Sequence, residues 1–253
     1  MKKNIIIGLI IVGVMVIAIM SNYMDTEIDG KTIAFLGDSL MAGYGNGDRA
    51  FDYYFKESLP NSKLINNSRS GSTITDNTGT DTIIMQEQVN TLKGEPDIII
   101  FDGGANDIIG YGLGFLEETK KKPIGKLEQD KHKMTDPNTV LGDLEEAIVT
   151  LKEKYPDAKL YYLQLFLVDD ATIDKITIDE SKKPDIKSRR DELYGQIKDL
   201  CKKQNIGYIK VDDKFIETEK KYRQDDWIHL KEEGYQVLTK YIIEELKDTK
   251  YSY

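Results

Sequence analysis

The chain has 253 residues, of which 40% are hydrophobic and 31% charged, and its formal net charge is −9. This length suits one domain with a sizeable core plus an appendage, and the composition excludes disordered, collagen-like and multi-span membrane proteins. The negative charge argues against nucleic acid as a partner, because phosphates are bound through clustered lysine and arginine side chains.

A hydrophobic segment opens the chain. Residues 5–20 form an uninterrupted apolar run behind two lysines, which is the charge layout of a secretory signal or a signal anchor. No pair of small residues with the spacing that a signal peptidase requires accompanies this run. We therefore predict a hydrophobic helix that acts as an uncleaved membrane anchor over residues 1–24, with the rest of the chain outside the cell. If the segment is cleaved, the chain is secreted instead.

The remainder is predicted to be a short tether, residues 25–30, followed by one domain over residues 31–250. Within this domain short β-branched runs alternate with amphipathic charged segments, a pattern typical of a parallel sheet with helices on both faces. We therefore predict a three-layer α/β/α domain with a five-stranded parallel sheet. The strands are predicted at 32–36, 63–67, 97–101, 159–166 and 207–211. The helices are predicted at 50–59, 81–93, 138–155, 187–203 and 231–248.

A ligand site is expected beyond the carboxyl ends of these strands, as in other open parallel sheets. Two connections, 110–137 and 168–184, are longer than the fold requires, and we expect them to shape a substrate cleft. The first strand is followed by Gly37-Asp38-Ser39-Leu40, in which the glycine permits a sharp turn that exposes the serine hydroxyl. Taken alone, this tetrapeptide is also ordinary loop or helix N-cap sequence.

The next two strand ends are rich in glycine. Residues 68–72 read Ser-Arg-Ser-Gly-Ser, and residues 102–107 read Asp-Gly-Gly-Ala-Asn-Asp. Backbone N–H groups freed by glycine, together with the amide of Asn106, are the donors that bind the negative oxygen of a tetrahedral acyl-transfer intermediate. The alternative interpretation is a pair of glycine-rich turns with no chemical role.

A histidine with a nearby carboxylate precedes the last predicted helix. Asp226 lies three residues before His229, one of only two histidines in the chain. A serine hydroxyl becomes a good nucleophile only when an imidazole takes its proton, and a carboxylate must fix the tautomer of that imidazole. Ser39, His229 and Asp226 can supply these roles. Asp225 is an alternative candidate for the carboxylate that orients the imidazole.

Two further residues receive structural interpretations. His132 lies between two lysines in a charged stretch and is predicted to be a surface residue. Cys201 is the only cysteine, lies in an apolar-periodic stretch, and is predicted to be a half-buried helix residue. With one candidate histidine and no cysteine cluster, no metal site and no cofactor are predicted.

Taken together, these blocks resemble the SGNH (GDSL-type) hydrolase family, with four separated motifs in the right order between residues 37 and 229. The order of four motifs is far more specific than any motif alone. The residues that carry the resemblance are Gly37-Asp38-Ser39-Leu40, Gly71, Gly104-Ala105-Asn106-Asp107 and Asp226-x-x-His229.

The resemblance implies a flavodoxin-like sheet in the order 2-1-3-4-5 and an acyl-enzyme mechanism. By this resemblance Ser39 is the nucleophile, His229 is the general base and then the acid, and Asp226 orients His229. It also implies an oxyanion hole formed by the backbone N–H groups of Ser39 and Gly71 and the side-chain amide of Asn106.

Two acidic residues of these motifs, Asp38 and Asp107, are expected to brace the turns by hydrogen bonds. The charge of Asp38 also argues against the alternative of a phosphate or flavin site at the first strand end.

The substrate implied is a small-molecule or polymer ester, and we expect short acyl groups on extracellular polysaccharide or cell wall. One alternative is a lipase or lysophospholipase, since residues 108–115 could form an apolar wall beside Asn106. Another is a surface glycan-binding protein without turnover, because a fold alone does not guarantee activity. Residues 41–45, which follow the nucleophile, match no subfamily pattern and leave the substrate open.

Overall fold

The computed structural model describes residues 28–47, 49–76, 84–165, 170–211 and 221–248. The anchor predicted over residues 1–24 lies outside these ranges, as do residues 25–27 of the predicted tether. Within the described ranges, no helix is both long enough and apolar enough to cross a membrane.

Five parallel strands form the sheet, in the order β2-β1-β3-β4-β5, which confirms the expected topology. Strands β1 and β3, which lie side by side in the interior of the sheet, are almost wholly buried because helices cover both faces of the sheet. The strands are β1 Thr32–Leu36, β2 Lys63–Asn66, β3 Ile98–Phe101, β4 Lys159–Gln164 and β5 Gly207–Lys210.

Seven α-helices accompany the sheet in the described ranges. The first and last pack against each other, and the second, fourth and sixth pack in a row, so the helices form two groups, as in a three-layer domain. They are α1 Phe51–Ser58, α2 Met85–Thr91, α3 Ala105–Leu113, α4 Val140–Lys154, α5 Asp170–Lys175, α6 Lys183–Gln204 and α7 Glu232–Asp248. Two 3₁₀ turns are Glu118–Lys120 and Glu180–Lys182.

Two of these helices, α3 and α5, were not predicted from the sequence. Helix α3 is short, and its residues 105–111 are all buried, so it has almost no face exposed to solvent. Its glycines permit close packing: a Cβ on Gly110 would lie 2.5 Å from Leu116 Cδ1, and a Cβ on Gly112 would lie 2.8 Å from Ile186 Cδ1. A short buried helix of this kind reads as a loop in the sequence.

Helix α6 begins at Lys183, four residues before the predicted start. The prediction treated Pro184 as the end of a loop, but proline is well tolerated in the first turn of a helix, where its missing N–H has no intrahelical partner. Cys201 lies in α6 and is fully buried rather than half-buried. Burial raises the pKa of its thiol, which makes it unsuitable as a nucleophile at neutral pH.

The long connection between α3 and α4 is packed along α6. The side-chain oxygen of Gln196 accepts the backbone N–H of Leu127 (2.8 Å), and its amide donates to the carbonyl of Gly125 (3.0 Å). Arg189 donates to the carbonyl of Lys122 (3.1 Å). These bonds hold the connection on the helical layer.

Candidate active site

The nucleophile turn, residues 37–47, leaves the carboxyl end of β1 and places Ser39 there. Gly37 has a φ of +148°, and a Cβ at this position would lie 1.7 Å from Asp102 Oδ1, so only glycine fits. The chain then turns back on itself, as the backbone N–H of Ala42 donates to the carbonyl of Asp38 (3.0 Å) and that of Tyr44 to the carbonyl of Ser39 (3.0 Å). Ser39 therefore sits on a tight turn at the edge of the sheet.

Two buried carboxyl groups lie beneath this turn. Asp38 Oδ1 accepts the backbone N–H of Leu40 (2.9 Å), which confirms its expected bracing role, and Asp102 Oδ1 accepts the backbone N–H of Asp38 (3.3 Å). Burial raises the pKa of Asp38 to about 6. Burial, with the nearby charge of Asp38, raises the pKa of Asp102 well above its ordinary value. Close to each other and away from water, these groups hold a proton more readily than exposed aspartates do.

The imidazole of His229 lies between the serine and a carboxylate. His229 Nε2 is 2.9 Å from Ser39 Oγ, and His229 Nδ1 is 2.6 Å from Asp226 Oδ2. The structure thus places Asp226, rather than Asp225, beside the imidazole ring. This geometry allows a proton to move from the hydroxyl to Nε2 while the carboxylate holds the other ring nitrogen.

Asp226 is bonded mainly to its own loop. Its Oδ1 accepts the backbone N–H groups of Ile228 (2.9 Å) and His229 (2.9 Å). Partial burial acts to raise the pKa of Asp226, but the hydrogen bonds from the backbone and ring of His229 and from Ile228 outweigh it, so the pKa is lowered. The carboxyl is therefore charged at neutral pH.

The histidine loop, residues 222–231, also contacts the nucleophile turn and α5. Gln224 donates to the carbonyl of Tyr44 (3.2 Å), and the ring of Tyr44, which is 54% exposed, lies 4.5 Å from the ring of His229 between centroids. Lys175 Nζ lies 4.5 Å from the ring centroid of Trp227. The second long connection, whose α5 carries Lys175, therefore reaches the histidine loop.

The other two predicted oxyanion-binding residues, Gly71 and Asn106, lie on two neighbouring segments. Asn106, in the first turn of α3, is buried and donates its side-chain amide to the carbonyl of Ser72 (2.8 Å). Gly71 has a φ of +78°, and the space where its side chain would lie is open. Ser72 therefore links Gly71 directly to Asn106.

Asp107 fastens the same two segments together. Its Oδ2 accepts the backbone N–H of Ile74 (2.8 Å), and its Oδ1 accepts the backbone N–H (3.1 Å) and the hydroxyl (2.9 Å) of Thr75. Burial raises the pKa of Asp107, while these bonds act to lower it. The bracing role expected for Asp107 is confirmed.

A polar cavity of about 490 Å³ borders the histidine loop. It lies between the nucleophile turn and the residues that precede and begin α7, and it includes Asp226. Its walls carry carboxylates, amides and one ammonium group, which suit hydroxyl-rich ligands. The lining residues are Gly45, Asn46, Gln224, Asp225, Asp226, Lys231 and Glu232.

Residues 108–115 do not form the apolar wall that they could have formed beside Asn106. Ile108 and Ile109 are buried in the core, whereas Leu113 (37% exposed) and Phe115 (42% exposed) lie at the far end of α3 from Asn106. The expectation failed because this segment is a helix, which turns its first isoleucines inward instead of presenting them to a cleft.

His132 is exposed, as predicted. Across the described ranges, no group of three or more His, Cys, Asp or Glu side chains is arranged to hold a metal ion. Sequence reasoning gave no role to Gln88, Asp102 or Tyr44. The available signals were a polar residue on the apolar face of α2, a carboxyl directly after a wholly apolar strand, and an aromatic residue soon after the serine.

Residues 35–237 match the sequence model of the GDSL-like lipase/acylhydrolase family. No curated protein sequence matches the chain.

Solved structures share the fold at low identity. A candidate GDSL-like lipase from Bacteroides uniformis has a TM-score of 0.56 at 21% identity, over 87% of this chain and 96% of that chain. The psychrotrophic esterase EstA from Pseudoalteromonas has a TM-score of 0.52 at 16% identity, over 86% of this chain and 97% of that one. A family two carbohydrate esterase from Clostridium thermocellum, in complex with cellohexaose, has a TM-score of 0.51 at 16% identity, over 86% of this chain and 64% of that one.

Proposed function

The chain belongs to the GDSL-like lipase/acylhydrolase family and is a hydrolase of ester bonds, and from this premise we propose that it works through an acyl-enzyme on Ser39. The observation that carries the proposal is the position of His229, whose two ring nitrogens lie within hydrogen-bond distance of Ser39 Oγ and Asp226 Oδ2. Nucleophile, base and orienting carboxylate are the three groups that serine-dependent acyl transfer needs.

In the first half-reaction, Ser39 Oγ attacks the ester carbonyl carbon and its proton passes to His229 Nε2. Asp226 accepts the Nδ1–H and stabilises the imidazolium that forms. The tetrahedral intermediate collapses when the C–O bond to the alcohol breaks, and His229 returns the proton to the departing oxygen. The acyl group remains on Ser39.

In the second half-reaction, His229 takes a proton from water, and the oxygen of the resulting hydroxide attacks the acyl carbon. The bond to Ser39 Oγ breaks, the proton returns to that oxygen, and the carboxylic acid leaves. In both half-reactions the negative oxygen is bound by the backbone N–H groups of Ser39 and Gly71 and by the side-chain amide of Asn106. One hydrogen of that amide is bonded to Ser72, and the second is available for the substrate.

For the substrate, we propose short acyl groups on a hydroxyl-rich alcohol such as a polysaccharide or cell-wall polymer. The polar cavity beside Asp226 and the exposed ring of Tyr44 against His229 support this proposal, because sugars are held by polar groups and by flat aromatic faces. The similarity of fold to a carbohydrate esterase is consistent with it.

We also propose that the enzyme acts outside the cell and is held at the membrane by its N-terminal segment. The support is the sequence alone, where an apolar run over residues 5–20 follows two lysines.

The test uses the full chain in detergent on p-nitrophenyl esters from acetyl to dodecanoyl, with Ser39→Ala assayed in parallel. We expect turnover that depends on the serine and peaks at acetyl. A peak at long acyl chains would replace the proposed substrate with a lipid ester. Turnover by Ser39→Ala equal to that of the wild type would overturn the mechanism, and no turnover by the folded wild type on any ester or acetylated polysaccharide would favour a non-catalytic glycan-binding protein.

The alcohol side of the substrate can be tested with Tyr44→Leu on acetylated oligosaccharides. Tyr53→Leu is the matched control, since Tyr53 is also exposed but lies on α1. We expect Tyr44→Leu to raise KM for the oligosaccharide more than for p-nitrophenyl acetate. An equal effect on both substrates would argue against a sugar-binding role.

A further inference from the structure

We propose that Gln88 is a positioning residue, which fixes the nucleophile turn against the segments that bind the oxyanion. The inference rests on the proposed serine mechanism and adds to it a residue of α2 that touches none of the reacting atoms. Gln88 is buried in the middle of α2, with 1% of its surface exposed.

Both polar atoms of the Gln88 side chain form hydrogen bonds, and their partners are Gly37 of the nucleophile turn and Ser72, which follows Gly71. Its Oε1 accepts the backbone N–H of Gly37 (2.8 Å). Its Nε2 donates to the carbonyl of Gly37 (3.0 Å) and to the hydroxyl of Ser72 (2.7 Å). One amide group thus joins the residue two positions before Ser39 to the residue directly after Gly71.

The same connection extends to Asn106. The carbonyl of Ser72 accepts the side-chain amide of Asn106 (2.8 Å), while the hydroxyl of Ser72 accepts from Gln88. A direct backbone bond runs in parallel, from the N–H of Arg69 to the carbonyl of Gly37 (2.9 Å). Gln88 is therefore a side-chain link between the turn that carries the nucleophile and both remaining parts of the proposed oxyanion hole.

The chemistry of an amide is what this position requires. The buried neighbours of Gln88 on α2 are Met85 and Val89, so an apolar residue would suit the helix face. An apolar side chain would remove the acceptor of the buried Gly37 N–H, and a buried donor without a partner is costly. Glutamine supplies one acceptor and two donors at once.

The expected consequence is on the rate of the chemical step. Oxyanion donors act only when they are held in place before charge develops. A displacement of about 1 Å between nucleophile and donors can cost about a hundredfold in rate. Loss of Gln88 should therefore lower kcat and leave KM nearly unchanged, because ground-state binding does not use these donors strongly.

The test compares Gln88→Met, which keeps the length but loses all three bonds, with Gln86→Met on the same helix. Gln86 bonds toward α4, where its amide donates to Thr150 Oγ1 (3.3 Å), so it is a matched control. The rate is measured on p-nitrophenyl acetate as kcat per active site, with sites counted by the p-nitrophenolate released on phosphorylation by diethyl p-nitrophenyl phosphate. We expect kcat of Gln88→Met to fall by about tenfold to a hundredfold. KM, the pH profile of kcat/KM and the Gln86→Met variant should remain close to wild type.

A second experiment separates positioning from a general loss of stability. Ser72→Ala removes one of the three hydrogen bonds of Gln88 and leaves α2 unchanged, so it replaces Gln88→Met as the test variant if Gln88→Met does not fold. Because only one bond is lost, we expect kcat per site to fall by about three- to tenfold. In an Asn106→Ala background, Gln88→Met should have a much smaller effect than in the wild type, because both act through the same donors.

The outcomes distinguish this inference from the proposed function. If kcat per site is unchanged in folded Gln88→Met, or in Ser72→Ala where Gln88→Met does not fold, Gln88 has no positioning role while the serine mechanism stands. Fully additive effects with Asn106→Ala would likewise overturn the inference. If Ser39→Ala retains activity, the mechanism itself fails first.

Discussion

The two sides of the proposed active site are held in different ways. On the nucleophile side, buried hydrogen bonds join residues far apart in sequence, such as Gln88 with Gly37 and Asp107 with Ile74, separated by 51 and 33 positions. On the histidine side, Asp226 bonds to residues two and three positions along the chain, and its side chain is 41% exposed.

The difference follows from what each side has to do. The proposed oxyanion donors come from three separate segments, so only long-range bonds can fix their spacing before charge develops. The carboxylate and imidazole come from one short loop, which sets their mutual geometry by itself. That loop then has only to dock on Ser39, which it does through His229 Nε2 and through the bond from Gln224 to Tyr44.

The largest effect is expected on the histidine side, from Asp226→Asn. Asparagine can keep the loop bonds but cannot hold the ring in the required tautomer, so kcat should fall by about a thousandfold to ten-thousandfold. The measurement is kcat on p-nitrophenyl acetate. Asp225→Asn is the control and should remain close to wild type. Equal losses in both variants would show that the carboxylate assignment is wrong.

A smaller loss is expected on the nucleophile side, from Asn106→Ala. Removing one oxyanion donor should lower kcat by about a hundredfold to a thousandfold with little change in KM. Asn90→Ala, at an exposed position of α2, controls for the loss of an asparagine. A rise in KM with kcat unchanged would indicate a binding role for Asn106 instead.

The buried carboxyl of Asp38, beneath the nucleophile turn, should affect how the free energy of unfolding depends on pH. The pKa of Asp38 is raised from 3.8 to about 6 by burial, so the folded state holds this proton more tightly than the unfolded state. Its stabilising contribution is present below pH 4 and is lost as the pH rises through 6. Asp38→Asn lacks this loss and should gain stability over the wild type between pH 4 and 7, by on the order of 1–3 kcal/mol.

Urea unfolding at several pH values measures this difference. The control is Asp157→Asn, at an exposed position between α4 and β4, which reports the loss of one surface charge. A gap between Asp38→Asn and wild type that shrinks as the pH rises would contradict the sign of the prediction.

The smallest effect concerns backbone strain in the histidine loop. Trp227 has a φ of +62°, a left-handed conformation that is unfavourable for a bulky residue. Trp227→Gly and Trp227→Ala lose the same ring contacts, but only glycine adopts this φ without strain. Trp227→Gly should therefore be more stable than Trp227→Ala by about 1 kcal/mol in urea unfolding. The opposite order, which is usual at helix and strand positions, would show that the loop is not strained there.

The same contrast explains what could be predicted from the sequence. β1 was located to the residue, because buried parallel strands are continuous apolar runs. The order of the strands was also correct, but it was implied by the resemblance to the SGNH hydrolases and not by the apolar runs. The pair Asp226 and His229 was recognisable because it is local. Gln88 was missed because its partners, Gly37 and Ser72, are distant in sequence and become neighbours only when the strands align. Helix α3 was missed because it is short and has almost no face exposed to solvent.

The central claim, that Ser39 is the nucleophile activated by His229, is tested most directly by covalent labelling. The full chain is treated with diethyl p-nitrophenyl phosphate, and the modified peptide is located by mass spectrometry. We predict release of p-nitrophenolate in step with a diethylphosphoryl group on Ser39 Oγ, and almost no label on folded His229→Ala. A folded protein that hydrolyses p-nitrophenyl acetate but carries the label on another residue, or carries none, would contradict the claim.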